Sequence, residues 1–310
     1  MPLLGELLAL SCALVWSCAV ILFKKTLDLG NVSVVGVNLF KNTVAVLLLG
    51  ATLIALQIPI DFDRPAAEWW ALAISAALGL AIADSFLFAS LERIGPGLLA
   101  IIELVAAPFQ VLLAWLFLSE TLSVPVLLAA CLVLLGLVVA GSEDAAKERR
   151  ASGPTTVAGA EIRKRRRAGV AYIIIAMALM SVGIILAKEP LERGNLVEVT
   201  FVRLVFGNLA LLGWTAFRSD GRSVLAPFTD RRIRRALLPA SVVGTYISML
   251  LWLGGFKYGD VAVVSVLNQM STVFTLILSR VVLGEIITSR RALGSAVALA
   301  GVVAIIVLRI

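Results

Sequence analysis

Four ionisable side chains interrupt apolar stretches of this sequence. They are Lys41 in VNLFKNTVAV, Asp84 in GLAIADSFLF, Glu103 in LLAIIELVAA and Arg203 in VTFVRLVFGN. A charge in an apolar run is costly unless it meets a partner or a polar cavity, so each is a candidate for solute or proton chemistry. Lys41 and Arg203 suit an anionic group, and Asp84 or Glu103 suits an amine or a coupling proton. Asn268 and Gln269 add neutral donors and acceptors. Trp16 and Tyr246 lie well inside apolar runs, where a ring face could stack on a solute. Pro108, five residues beyond Glu103, frees a backbone carbonyl and permits a bend, which makes it a gating candidate. The plainer alternative for the charges is an ion pair that only fixes helix packing, and Asp84, nearest the boundary, leans that way.

Other chemistries find little support. The 310 residues include no histidine, the commonest general base and metal ligand. Cys12, Cys18 and Cys131 all fall in apolar runs without metal-type spacing and read as packing residues. No GxxxxGK[ST] loop is present to bind a nucleotide. The expectation is therefore no enzyme, no metal and no cofactor. The net charge of +7 reads as basic flanks of membrane spans rather than as a nucleic-acid surface.

The elements that carry these residues are membrane helices. Hydrophobic residues make up 60% of the chain and charged ones 15%, against about a quarter charged in soluble domains. Ten apolar spans are expected, near 3–23, 32–57, 67–90, 97–118, 123–141, 169–188, 197–217, 236–256, 260–282 and 290–308. The first span starts by Leu3 without a basic leader, so it reads as a retained helix. Residues 142–168 lack apolar periodicity and read as a solvated basic linker.

The spans repeat. Lys24 and Gly30-Asn31 recur as Lys188 and Gly194-Asn195 at an offset of 164, which Gly95 and Gly259 keep. Glu120 and Glu285, Ala129 and Gly294, and Gly136 and Gly301 share an offset of 165, so one residue of slippage falls in the fourth and ninth spans. Five spans per unit is an odd number, so the second copy enters the membrane inverted. The fold expected is an all-α polytopic membrane protein of ten transmembrane helices in two inverted five-helix repeats, 3–141 and 169–308. Connections after spans 1, 3, 5, 7 and 9 hold twenty of the 27 Lys and Arg, and the opposite side holds five. That bias places linker 142–168 in the cytoplasm and both termini outside, in a plasma (bacterial inner) membrane.

Span geometry puts Lys41, Asp84 and Glu103 roughly 9–14 Å from the cytoplasmic boundary, a depth at which they could cluster. Arg203 and Asn268-Gln269 lie at comparable depth from the other side. Glu103 aligns with Asn268 at offset 165, so the halves are chemically unequal there. Lys24 and Lys188 read as snorkelling span ends. Glu120 and Glu285 read as caps of the helices that follow them. The kink at Pro108 is not expected in the second copy, where Thr272 or Val273 stands. Small residues such as Gly136 and Gly301 mark close helix packing, within the chain or in a homodimer.

Two units that close in an apolar hairpin resemble the EamA-domain type of the drug/metabolite transporter superfamily. LGEIITSRRALGSAVALAGVVAIIVL (283–308) carries the likeness, and LSETLSVPVLLAACLVLLGLVVAG (118–141) matches more loosely. Arg203 sits where the family often has an arginine, with Lys41 a looser counterpart. The resemblance implies a ten-helix basket, alternating access and a cavity formed chiefly by spans 3, 4, 8 and 9. The functional expectation is a secondary transporter, exporter or exchanger, of a small-molecule metabolite, with proton coupling through Glu103 or Asp84. The alternative is a flippase for a lipid-linked sugar or phosphate head group. An intramembrane enzyme and a non-transporting scaffold are the weakest readings.

Overall fold

Hydrocarbon offers a backbone amide no hydrogen-bond partner, so an apolar chain of this kind must satisfy its own peptide groups, and it does so with helices. The computed structural model describes residues 3–30, 32–120, 123–151, 157–216, 221–283 and 289–309. The first half comprises α1 (Leu4–Leu27), α2 (Val34–Ala55), α3 (Ala66–Ala76), a π-helical stretch (Ala77–Ala83), α4 (Asp84–Glu103), α5 (Ala106–Leu118) and α6 (Val124–Ala151). The second comprises α7 (Val157–Arg193), α8 (Leu196–Ala216), the short α9 (Gly221–Thr229), α10 (Arg231–Ser241), a second π-helical stretch (Val242–Ile247), α11 (Ser248–Tyr258), α12 (Val261–Asn268), α13 (Ser271–Leu283) and α14 (Ser289–Arg309). Among the described residues, seven helical runs are long and apolar enough to cross a membrane, and two shorter apolar helices lie at Ala106–Leu118 and Val124–Gly136.

Much of the expected linker is helical. Residues 142–151 continue α6 and residues 157–168 begin α7. Alanine, glutamate, lysine and arginine dominate these flanks, and such residues extend a helix readily without an apolar face.

Irregularities of the helices come in pairs. After Glu103 the i→i−4 ladder gives way to tighter bonds. Val105 N–H donates to Ile102 at 3.1 Å and Ala107 N–H to Leu104 at 3.3 Å. Met270 and Thr272 do the same to Leu267 and Gln269, both at 3.0 Å, and both pairs are offset by 165. The bend at Pro108 was expected to be unique to the first copy. The structure corrects this: Pro108 sits in the first turn of α5, where its missing N–H costs no helical bond, and the same break forms at Met270 with no proline. The two π-helical stretches are likewise a pair. Asp84 N–H reaches back five residues to Gly79, and Ser248 N–H five residues to Val243.

A separate turn lies inside α4 at Gly95, with φ 74° and ψ 170°. That region is open essentially to glycine alone. Its repeat mate Gly259 is extended, at φ −136° and ψ 165°.

Small residues let helices touch. A Cβ on Gly136 would lie 2.6 Å from the Gly294 carbonyl, so the Gly136 and Gly301 faces seal α6 against α14 within one chain. At the end of the bundle near Gly259, polar ties cross between helices. Lys188 Nζ donates to the carbonyls of Phe256 (2.6 Å) and Gly259 (3.1 Å) at the end of α11. Lys257 returns the contact to Leu191, Glu192 and Gly194 at the end of α7. Lys188 is thus buried as a helix cap and does not snorkel, because carbonyls left open by α11 lie within its reach. Glu120 accepts from the Val261 and Ala262 amides, both at 3.0 Å, so it caps α12 of the other half and not the helix that follows it. Glu285 lies outside the described residues. Arg64 pairs with Glu198 at 2.6 Å, with Glu68 and Arg193 joining around it.

Candidate functional site

The paired irregularities surround one space. A cavity of about 120 Å³ lies between α1, both π-helical stretches, the two helix breaks, α7 and α8. Seven of the eight side chains expected to bind solute line it: Trp16, Lys41, Asp84, Glu103, Arg203, Asn268 and Gln269. The eighth, Tyr246, does not. Its hydroxyl is 2.8 Å from Thr52 Oγ1, so it joins α2 to the second π-helical stretch. Pro108 is also off the cavity wall.

The expected cluster of one lysine with two carboxylates divides in two. Lys41 Nζ is 2.7 Å from Asp84 and donates to Asn42 Oδ1 at 2.8 Å, with both members of the ion pair buried. Asn38 on the same helix donates to the Leu80 carbonyl at 2.8 Å, holding α2 against the first π-helical stretch. Glu103 stands apart from this pair, on a wall it shares with Trp16.

Arg203 comes from α8 and is 1% exposed, the largest fully buried side chain among the described residues. Its Nε donates to Ser75 Oγ at 2.9 Å, and that hydroxyl donates to the Gly183 carbonyl at 2.5 Å. The guanidinium lies 5.7 Å from the Trp252 ring centroid. A Cβ at Gly79 would sit 2.9 Å from Arg203 Nη2, so the glycine makes the room the guanidinium occupies. Both terminal nitrogens, Nη1 and Nη2, have no hydrogen-bond partner among the described residues, and neither have the two amide atoms of Asn268. Leaving a buried polar group unmatched costs about 1–3 kcal/mol, and more for a charged one.

One ion pair and two further ionisable groups share the wall. Lys41 pairs with Asp84, and Arg203 and Glu103 form no salt bridge among the described residues. Met177, Met180, Met249, Trp16 and Trp252 supply an adaptable apolar lining. Sequence reasoning passed over Ser75, Gly79, Gln110 and Ser248. A serine or glycine in an apolar helix carries no signal until a partner from the other half is beside it. Cys12 was read as packing, and its thiol lies on the cavity wall 3.5 Å from Ser248 Oγ.

Comparison with known proteins bears on the whole chain. The family model described as the EamA-like transporter family matches residues 3–142 and again 167–307. Among solved structures, 25 chains match. One of them, described only as the crystal structure of a protein, superposes with a TM-score of 0.74 at 19% identity, over 98% of this chain and 96% of that one. At that identity the likeness speaks for the fold alone. No curated protein sequence matches the chain.

Proposed function

The chain belongs to the EamA-like transporter family, within the drug/metabolite transporter superfamily, and from that premise we propose that it is a secondary transporter of a small amphipathic zwitterion. It is an integral membrane protein, and the cavity is its solute site. The carrying observation is the buried Arg203 guanidinium, whose two terminal nitrogens lack partners among the described residues beside a cavity that also holds Glu103. A planar fork of donors suits a carboxylate or phosphate oxygen pair. Glu103 then takes the ammonium of the solute or a coupling proton. Asn268 orients the polar end, and the methionines and tryptophans receive the apolar end.

Transport proceeds by alternating access between two inverted five-helix units, ten crossings in all, with the cavity at their junction. Breaks in helices near the midplane support this reading, since irregular backbone at that depth is tolerated where it faces a cavity. The charge bias supports a plasma (inner) membrane location with residues 142–168 in the cytoplasm and both termini outside.

The test begins with a thermal-shift screen of the purified protein against amino acids, nucleosides, sugar phosphates, amphipathic amines and lipid-linked phosphates. Flux of the best ligand is then measured in proteoliposomes, with and without a pH gradient. A zwitterion should give the largest shift, and Arg203→Gln should abolish it. A shift from lipid-linked phosphates alone would transfer the assignment to a flippase. Glu103→Gln separates the two roles of the carboxyl group. Lost ligand binding marks an ammonium contact, and retained binding with lost pH-driven flux marks proton coupling.

A further inference from the structure

The polar ties at the Gly259 end have sequence mates at the opposite end of the bundle, and those mates are not engaged in the same way. At the offset of 164, Lys188 corresponds to Lys24, and the carbonyls it caps, Phe256 and Gly259, correspond to Glu92 and Gly95. Lys257 corresponds to Arg93, and the carbonyls of Leu191, Glu192 and Gly194 correspond to those of Leu27, Asp28 and Gly30. Even the local ion pair is duplicated. Lys188 reaches Glu192 at 3.0 Å and Lys24 reaches Asp28 at 2.6 Å, each one turn on.

The cross-helix part is not duplicated. Lys24 stays with Asp28 in its own turn, and Arg93 donates to the Ala89 carbonyl of its own helix at 2.7 Å while its guanidinium lies 5.0 Å from the Tyr172 ring centroid of α7, away from the carbonyls of Leu27, Asp28 and Gly30. The equivalent turns also differ in backbone, with Gly95 at φ 74° and Gly259 at φ −136°. One sequence pattern is thus held in two states at the two ends of one molecule.

We propose that Lys24 and Arg93 form the unengaged mate of the Lys188–Lys257 tie, and that the two basic pairs are alternate gates of the transporter. When the Gly259 end opens, Lys188 and Lys257 release the carbonyls of α11 and α7. Lys24 then caps Glu92 and Gly95, and Arg93 caps Leu27, Asp28 and Gly30. Each tie joins a lysine or arginine to carbonyls that a helix C-terminus leaves open, so exchanging one for the other leaves the number of satisfied groups nearly unchanged. This inference rests on the alternating-access reading above.

Cys12 on the cavity wall is the reporter, in a chain carrying Cys18→Ser and Cys131→Ser. Its reaction with a membrane-impermeant methanethiosulfonate reagent is measured in right-side-out and in inverted vesicles, which gives a ratio of two rates. Lys188→Met with Lys257→Met should shift that ratio one way by about tenfold, since charge-assisted bonds hold one state. Lys24→Met with Arg93→Met should shift it the opposite way. The second pair decides the matter if the first fails to insert, because among the described residues Lys24 and Arg93 donate hydrogen bonds only within their own helices in the present state. A ratio that Lys24→Met with Arg93→Met leaves unchanged, or moves in the same direction, overturns the gate pairing while alternating access stands. Reaction from one side only in every form, including the parent, would remove alternating access itself and the gate with it.

Discussion

One methyl group placed on the cavity wall beside the guanidinium tests the assigned role of Arg203. A Cβ at Gly79 would lie 2.9 Å from Nη2. Ordinary carbon contacts are about 3.5–4.0 Å, so in Gly79→Ala the guanidinium must retreat by about half an ångström or more. The clash is with the far end of a flexible side chain, so the fold survives it. The guanidinium cannot retreat without loss, because Nε is held by Ser75 at 2.9 Å and the Trp252 ring lies beyond it. One charge-assisted contact to the solute is worth about 1.5–3 kcal/mol, so Kd should rise about ten- to a hundredfold. Gly244 on the second π-helical stretch gives the comparison. Its Cβ would fall 2.7 Å from Ala19 Cβ and 2.7 Å from the ring of Phe23, which is fully buried. Gly244, which also lines the cavity, directs the added methyl at Ala19 and Phe23 and not at the guanidinium, so Gly244→Ala should overpack the bundle by about 1–3 kcal/mol and lower thermal stability. Titration calorimetry with the best ligand of the screen, beside a melting curve for each variant, reads both. A correctly inserted Gly79→Ala protein with parental Kd would refute the guanidinium as the anion site.

Tyr246→Phe removes only the bond to Thr52, so stability should fall by about 0.5–1.5 kcal/mol in a melting curve while ligand affinity holds. Pro108→Ala should leave flux in proteoliposomes intact, because the mate of this break forms around Met270 without a proline. Arg64→Met or Glu198→Gln alone strands a buried charge whose partner sat 2.6 Å away, and each should lower stability by about 3–5 kcal/mol. The double variant should cost less than the sum of the two, read as a double-mutant cycle of melting free energies.

Much of the site was legible because lysine, aspartate, glutamate and arginine are conspicuous in apolar runs. Burial of such groups forces them toward a cavity or a partner, and Lys41, Asp84, Glu103 and Arg203 all border the cavity. Depth alone could not pair them. Lys41 and Asp84 come from different helices, and a shared depth leaves their azimuths free, so the separation of Glu103 from Lys41 had to come from packing. Tyr246 failed for a similar reason. Its position inside an apolar run fixed its depth, and the rotation of its helix turned it toward Thr52. Glu120 was misread because capping was assumed to be local, and Lys188 because a basic span end was assumed to reach for headgroups, whereas each serves a helix remote in sequence.

The sequence by itself determined the helical membrane class, the internal duplication and the chemical inventory of the cavity, because hydropathy and repeat offsets are properties of the chain alone. Tertiary structure decided which charges meet, which glycine makes room for a guanidinium and which half of each duplicated tie is engaged. Those depend on helix rotation and on contacts between residues more than a hundred positions apart, such as Arg203 with Ser75 and Glu120 with Val261. No local pattern encodes such a contact, and two stretches with the same pattern can occupy different states, as Lys24 and Lys188 do at opposite ends of the bundle.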